Sequence, residues 1–491
     1  MRFVDLPTDL LLAFFLDLDV EDVLSLKQSC RVLYTIGSLD YLWHKLVRRC
    51  NLPLNISLGA DSSTLSGQEL QVIVVKALKL DHNWRNPDAH IQRAIPIMRW
   101  DKSYVNNMHL LPGGKWLVAT QLTGGFSAPH TNLSLWCLDD MTSPCIIKTV
   151  RIYGSATSCR AYYQPARHKF TIAVALGRDV SEWIEVYHIS LDNPAAATHS
   201  ESLVIPSVAS DEPLRYLCNI DNLRICGDLL GATYHEIPDQ DYIHPHQPVV
   251  ETVHVYLRNL VTGATATFKA CDGDWHQDRI AFELFRNQYA LGYAARHDLS
   301  EQIISFYDIP PSIIPENLEP APNSDSNPSF EGILSSRCRP PHRGSFSYRA
   351  SSGSLEHGIP ILNTMLFSGS SREVIIDRFS PPDHETRFIG LPTIASQAFP
   401  HHGVMGDHKQ LGATGRRAVW VDFGAAAILR KWTSSRRRRG EELSAGTSIL
   451  MPPSSGLPFN SKDICRIAFD EATCRLCIGL LTGELYICDF L

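Results

Sequence analysis

The sequence predicts a small all-α N-terminal helical bundle followed by a large all-β domain. Three observations predict it. Apolar residues recur with helical spacing through about the first fifty positions, and that spacing then stops. From about residue 95 short apolar runs alternate with turn residues. The same two-run layout then returns along the rest of the chain. The expected division is a helical domain at 1–50, a linker with a short helix at 51–94, and a β-rich domain at 95–491. Long inserts are expected at 235–251, 310–347 and 432–462.

The helical part opens with "LPTDLLLAFFLDL" from Leu6. Pro7 suits a helix start, where its missing N–H costs nothing. Leu10, Phe14 and Leu18 recur at i, i+4 and i+8, with Leu11 and Phe15 beside them. Asp19 is placed to cap a second helix with Val23, Leu26, Cys30 and Leu33 on its inner face, ended by Gly37. Ser38 is placed to cap a third, carrying Leu39, Leu42, Trp43, Leu46 and Val47. Three short helices have difficulty burying a core that offsets chain entropy. Yet large apolar side chains are left over, so this part docks on its own chain's body or on a partner. Between Met1 and Leu26 stand six acids and one base, which suits a partner with a basic rim.

Those residues resemble an F-box. The pattern is carried by Leu6-Pro7, Asp9-Leu10-Leu11, Phe15, Leu18, Asp22-Val23-Leu24, Leu26, Cys30-Arg31, and Leu39 with Trp43 and Leu46. Where the family often has an aromatic just after the Cys-Arg pair, this chain has Val32 and Leu33, and Tyr34 comes next. The resemblance covers roughly residues 3–50. It implies that Leu6, Pro7, Leu10, Leu11, Phe15, Leu18, Val23 and Leu24 face a Skp-type adaptor. It also implies a substrate-recognition subunit of a cullin-RING ubiquitin ligase, with the cullin reached indirectly and the β-rich domain holding an unknown protein substrate. The alternative is a non-degradative adaptor or scaffold that uses the same face. Plain internal core of a larger helical domain is the structural alternative. From Leu70, "LQVIVVKALKLDHNWR" reads as a short helix bracketing the box to the body.

In the body, "MHLLPGGKWLVATQL" sets Pro112-Gly113-Gly114 between two runs, a hairpin signal. Later units align on Trp136, Tyr187, Tyr256, Tyr307 and Tyr486, the first four spaced by 51, 69 and 51 residues. Ile375-Ile376-Asp377 and Trp420-Val421-Asp422 supply two more anchors, giving about seven units. Repeats of that length built from short antiparallel strands point to a seven-bladed β-propeller, against a pair of β-sandwiches or stacked sheets without closure. "LSLWCLD", "IEVYHIS" and "HVYLRNL" resemble WD-repeat strand ends, though without Trp-Asp or Gly-His pairs. The last strand is expected to complete a blade begun at the other end of the body.

Composition excludes several classes. The formal charge is −7 with a pI near 6.3, so no specific nucleic-acid role is expected. No apolar run is long enough for a membrane span, and the first residues do not read as a secretory signal. Thirteen scattered cysteines suit buried thiols in a reducing compartment, hence cytoplasm and/or nucleus. The sequons at Asn55 and Asn132 then carry no meaning. "LPGGKW" is not a P-loop, and "SGSSR" is not a nucleophile elbow. Cys474 and Cys477 lack a second pair. His235, Asp239, Asp241, His244 and His246 sit in a Pro-rich stretch, and His401, His402, Asp407 and His408 are no better placed. No catalytic residue, cofactor or metal is expected. Arg436, Arg437, Arg438 and Arg439 form either an import tag or anion-binding patch, or a solvated insert tip beside Glu441 and Glu442.

Overall fold

The computed structural model describes residues 3–50, 52–56, 62–86, 93–98, 104–123, 129–140, 143–178, 181–193, 198–205, 216–238, 252–270, 280–294, 302–314, 333–338, 346–356, 359–368, 373–379, 396–400, 409–423, 427–434, 445–451 and 458–490.

Four helices occupy the first fifty positions: α1 (Thr8–Asp17), α2 (Val20–Lys27), α3 (Arg31–Ile36) and α4 (Asp40–Arg49). The second expected helix is thus two. It breaks because the amide and hydroxyl of Ser29 both bond to the Leu26 carbonyl, at 3.0 and 2.7 Å, and Cys30 is extended. Asp19 stands at the start of α2 but makes no side-chain cap bond. Ser38 does not cap α4, because its hydroxyl turns back to the Tyr34 carbonyl at 2.7 Å and Leu39 takes the cap position.

These helices share one core with α5 (Gly67–Arg85), the bracket helix expected from Leu70. Ser66 and Glu69 form a capping box at its start, which satisfies two backbone donors reciprocally. Gly67 is required by packing: a Cβ there would lie 2.5 Å from Asp40 Oδ1 and 2.7 Å from Asp40 Cα. The same carboxylate accepts the Gly67 N–H at 2.7 Å, so α4 and α5 touch backbone to backbone.

The rest is strand. β1 (Arg93–Met98) belongs to a sheet completed far downstream. The next sheet runs β2 (Tyr104–Leu110), β3 (Trp116–Thr123), β4 (His130–Cys137), β5 (Cys145–Tyr153). Then come β6 (Ser155–Gln164), β7 (Lys169–Arg178), β8 (Ser181–Ser190) and β9 (Thr198–Leu203). A third sheet is β10 (Tyr216–Cys226), β11 (Leu229–Pro238), β12 (Thr252–Asn259), β13 (Thr265–Lys269). A fourth is β14 (Ala281–Leu284), β15 (Gln288–Ala294), β16 (Gln302–Asp308), β17 (Ile333–Cys338). A fifth is β18 (Phe346–Glu356), β19 (Ile359–Ser368), β20 (Glu373–Phe379), β21 (Ser396–Pro400). A sixth is β22 (Lys409–Leu411), β23 (Arg417–Phe423), β24 (Ala427–Ser434), β25 (Ala445–Met451). The last is β26 (Ile464–Asp470), β27 (Arg475–Leu480), β28 (Leu485–Asp489), with β1 paired antiparallel to β28 as its fourth strand.

The expected seven-bladed β-propeller is corrected on this point. Among the described residues there are seven separate four-stranded antiparallel sheets, no sheet closes into a barrel or propeller, and each hydrogen-bonded ladder stops at its fourth strand. What joins the units is apolar packing between sheet faces, which repeat spacing in a sequence does not report. Each of seven apolar clusters is shared by two sheets: β26–β28 meets β2–β4 through Cys477, Leu485, Leu117 and Leu110, for example. First strands also touch one another: β2 meets β6 and β26, and β10 meets β6 and β14.

The small residues of the second strands follow from that packing. A Cβ on Gly231 would lie 2.7 Å from the Phe282 ring, and one on Gly479 would lie 2.8 Å from Val105 Cβ. Neighbouring sheets approach too closely there for a larger side chain. The aromatic anchors Trp136, Tyr187, Tyr256, Tyr307 and Tyr486, with Ile376, fall on the third strands. Trp420 falls on a second strand, β23, and the third strand of that sheet, β24, carries Trp432 instead. The spans taken as inserts contain strands too: β17 lies inside 310–347 and β25 inside 432–462.

β28 sits between β27 and β1, so it is an inner strand. Deleting residues 484–491 is expected to unfold the β-rich part cooperatively, seen as lost protease resistance across the body. Fraying confined to β1 and β27 would contradict this strand order.

Candidate protein-docking face and its anchorage

α1 has two apolar faces, and the helical repeat sets them side by side. Leu11 and Phe15 point inward and are fully buried. Leu10 and Phe14, one residue earlier each, point outward, 56% and 43% exposed. Phe3, from the short turn Phe3–Asp5, lies edge-on against Phe14 with ring centroids 5.0 Å apart. Pro7 is exposed between them. In the same stretch of chain Asp5, Asp9, Asp17, Asp19, Glu21 and Asp22 are all exposed. A second exposed set lies on α3 and α4: Val32, Tyr34 and Tyr41, with Leu39 just ahead of α4. Lys27 sits 4.9 Å over the Tyr34 ring and Lys45 5.5 Å over that of Tyr41.

The eight residues that the F-box resemblance implied divide three ways. Pro7 and Leu10 are exposed. Leu6, Leu18 and Leu24 are half-buried at the rim of the helical core. Leu11, Phe15 and Val23 are inside it. Phe3, Phe14, Val32, Tyr34 and Tyr41 join the exposed surface without having been named for it. Helical periodicity had already aligned Phe14 with Leu10. Periodicity alone cannot say which of two adjacent apolar stripes faces in.

The helical region that carries this exposed face is tied to the body through α5. At 1.5 Å per residue its length is about 28 Å. Its first half, through Leu70 and Val74, belongs to the helical core. Its second half, through Leu80 and Trp84, belongs to the cluster between the β22–β25 and β26–β28 sheets. Trp84 is fully buried, stacks on Phe469 at 5.2 Å and meets Phe490 edge-on at 5.5 Å. Its Nε1–H donates to the Trp432 carbonyl at 3.2 Å.

Beside it, Arg417 Nη2 bonds to Asp81 Oδ1 at 3.0 Å, and Asp81 also pairs with Arg85 at 2.7 Å. Arg417 Nη1 donates to the Glu471 carbonyl at 2.7 Å and to Cys474 Sγ at 3.1 Å. Burial works against the Arg417 charge, but Cys474, Asp81 and Glu471 together outweigh it and hold its pKa above the usual arginine value. The Glu471 carboxylate accepts the N–H groups of Thr414, Arg416 and Arg417 at 2.6, 2.8 and 2.9 Å. Burial pushes that carboxyl up, and those bonds pull it back.

The other sequence candidates fall as follows. Cys474 and Cys477 are both buried, and burial pushes each thiol up to about 12. His235 lies on β11 against the Asp221 carboxylate. Asp239, Asp241, His244, His246, His401, His402, Asp407, His408 and Arg436–Arg439 lie outside the described residues. Among the described residues no group of three or more His, Cys, Asp or Glu is arranged to hold a metal ion. No described helix is long and apolar enough to cross a membrane.

Residues 3–49 match the F-box-like family model. The helical region is F-box-like. No curated protein matches the chain. An F-box-like region supports a role in protein interaction, and its exposed apolar face lies on the first helix of the matched segment.

Trp84→Ala is expected to cost about 3–5 kcal/mol. It should also let limited proteolysis release the F-box-like region from the body. Asp81→Asn should give the same cleavage pattern, because it strips one partner from a buried guanidinium. Intact chain after both substitutions would show that α5 is not the anchor.

Proposed function

We propose that the chain is the substrate-recognition subunit of a ubiquitin ligase built on a Skp-type adaptor, a cullin and a RING protein. The F-box-like region binds the adaptor, the cullin joins through the adaptor, and the β-rich body holds a target protein. The observation that supports this is the exposed Phe3, Pro7, Leu10 and Phe14 face, in a stretch of chain rich in exposed acids. Large apolar anchors that solvent reaches and that pack against each other suit a partner's groove. The surplus of exposed acids there suits a basic partner surface. The chain itself does no chemistry in this scheme. It supplies proximity, holding a target lysine near activated ubiquitin.

Leu10→Asp combined with Phe14→Asp is expected to abolish adaptor pull-down while leaving thermal melting almost unchanged, since both side chains face solvent. Leu11→Ala, inside the core, should instead cost about 2–5 kcal/mol of stability. Undiminished pull-down by the double variant sinks the proposal. Recovery of adaptor without cullin points to a non-degradative scaffold.

A further inference from the structure

The first strands of the seven sheets line a cavity of about 220 Å³. Five of its lining residues hold one register position. In β2, β6, β10, β18 and β26 the ladder skips one residue at a bulge: Asn106, Thr157, Asp221, Arg349 and Cys465. Three residues beyond each bulge stand His109, Arg160, Arg224, Ser352 and Ala468, and all five line the cavity. The bulges therefore aim one equivalent side chain from each of these strands at a common space.

Three consecutive sheets place hydrogen-bond donors there. His109 Nδ1 accepts the Ala161 N–H at 2.9 Å. A neutral imidazole that accepts at Nδ1 carries its proton on Nε2, which leaves an N–H at the cavity. Arg160 is next, and its Nη1 also bonds to the Cys159 carbonyl at 2.8 Å. Arg224 follows, and it bonds to Glu283 Oε1 through Nε at 3.0 Å and Nη2 at 2.8 Å. Burial, then Arg160 and Arg224, push His109 down to about 3, and no carboxylate is among the groups acting on it. Of the carboxylates in the lining, Glu283 pairs with Arg224, and Asp470 and Glu471 bond to other groups. Asp470 accepts the Gly113 and Thr473 N–H groups at 3.2 and 3.0 Å, and Glu471 accepts three backbone N–H groups and faces Arg417.

We propose that this cavity is an oxyanion site, taking one carboxylate or phosphate group between the His109 Nε2–H and the Arg160 guanidinium, with Arg224 as a second cation shared with Glu283. The site lies in the β-rich body and stands whether or not the F-box-like region binds an adaptor. The group comes either from a free small anion or from an acidic side chain of a bound polypeptide.

Calorimetric titration of the full chain with sodium phosphate and with sodium acetate, at matched ionic strength in chloride, tests it. One-to-one binding is expected. Arg160→Gln should weaken it by about tenfold or more, the loss of one charge-assisted hydrogen bond. Glu283→Gln should tighten it, because it removes a negative charge from the lining beside Arg224, and a gain cannot come from misfolding. A Gly-Glu-Gly peptide blocked at both ends gives the second arm. Competition by the peptide assigns the site to an acidic side chain, and binding of the free ions alone assigns it to a small anion. No binding of either ion, or equal binding by Arg160→Gln and the unaltered chain, overturns the proposal.

Discussion

Arg417 carries a full charge where water does not reach, and that charge has to be answered from several directions at once. An isolated guanidinium in such a place costs several kcal/mol. Asp81 comes from α5, while the Glu471 carbonyl and Cys474 come from the turn after β26. The ion pair therefore holds together three pieces of chain far apart in sequence. Trp84, packed beside it, adds apolar area that needs no partner charge. The two effects divide the work. Burial of the indole supplies stability, and the charged network fixes which way α5 leaves the body, since hydrogen bonds are directional and apolar contacts are not.

A second constraint comes from how closely the sheets approach. Gly231 and Gly479 leave no room for a Cβ, so the facing residues Phe282 and Val105 sit against bare backbone. Second strands consequently carry small residues where the sheets meet, and third strands supply bulk: Tyr256 is almost fully buried directly opposite Ala232. Small residues on second strands and aromatic ones on third strands are what recurs along the sequence.

That explains what could be read in advance. The strand units, the hairpin at Pro112-Gly113-Gly114 and the bracket helix from Leu70 all carry local signals: alternation, turn residues, or a 3.6-residue period. The outermost strands do not. β5 is largely exposed, and β17 and β25 lie in stretches that read as inserts. A strand bonded on one side only, with few buried positions, leaves no alternation for a pattern to show. Closure is not legible for a related reason: spacing counts units, whereas how faces meet depends on side chains hundreds of residues apart. At the docking face, Leu10 and Phe14 were visible as a stripe, but Leu11 and Phe15 form an equal one. Only the fold decides that the second pair meets Trp43 and Val74 in the core. The cavity was not legible at all, because a bulge leaves no mark in the sequence and His109, Arg160 and Arg224 look like three unrelated polar residues.

The placement of α5 gives these parts a common geometry. Glu471 lines the cavity, and the next links outward are Arg417 and then Asp81 on α5. The helix that carries the F-box-like region thus docks on the same turns that wall the cavity. α5 is a continuous helix with a capped start and both halves buried in apolar clusters. A helix held at both ends resists bending, since any bend exposes Leu70 and Val74 at one end or Leu80 and Trp84 at the other. The distance from the Leu10–Phe14 face to the body is then set by one rigid element rather than by a chain of loops. The proposed role, holding one partner at a fixed reach from another, calls for that stiffness.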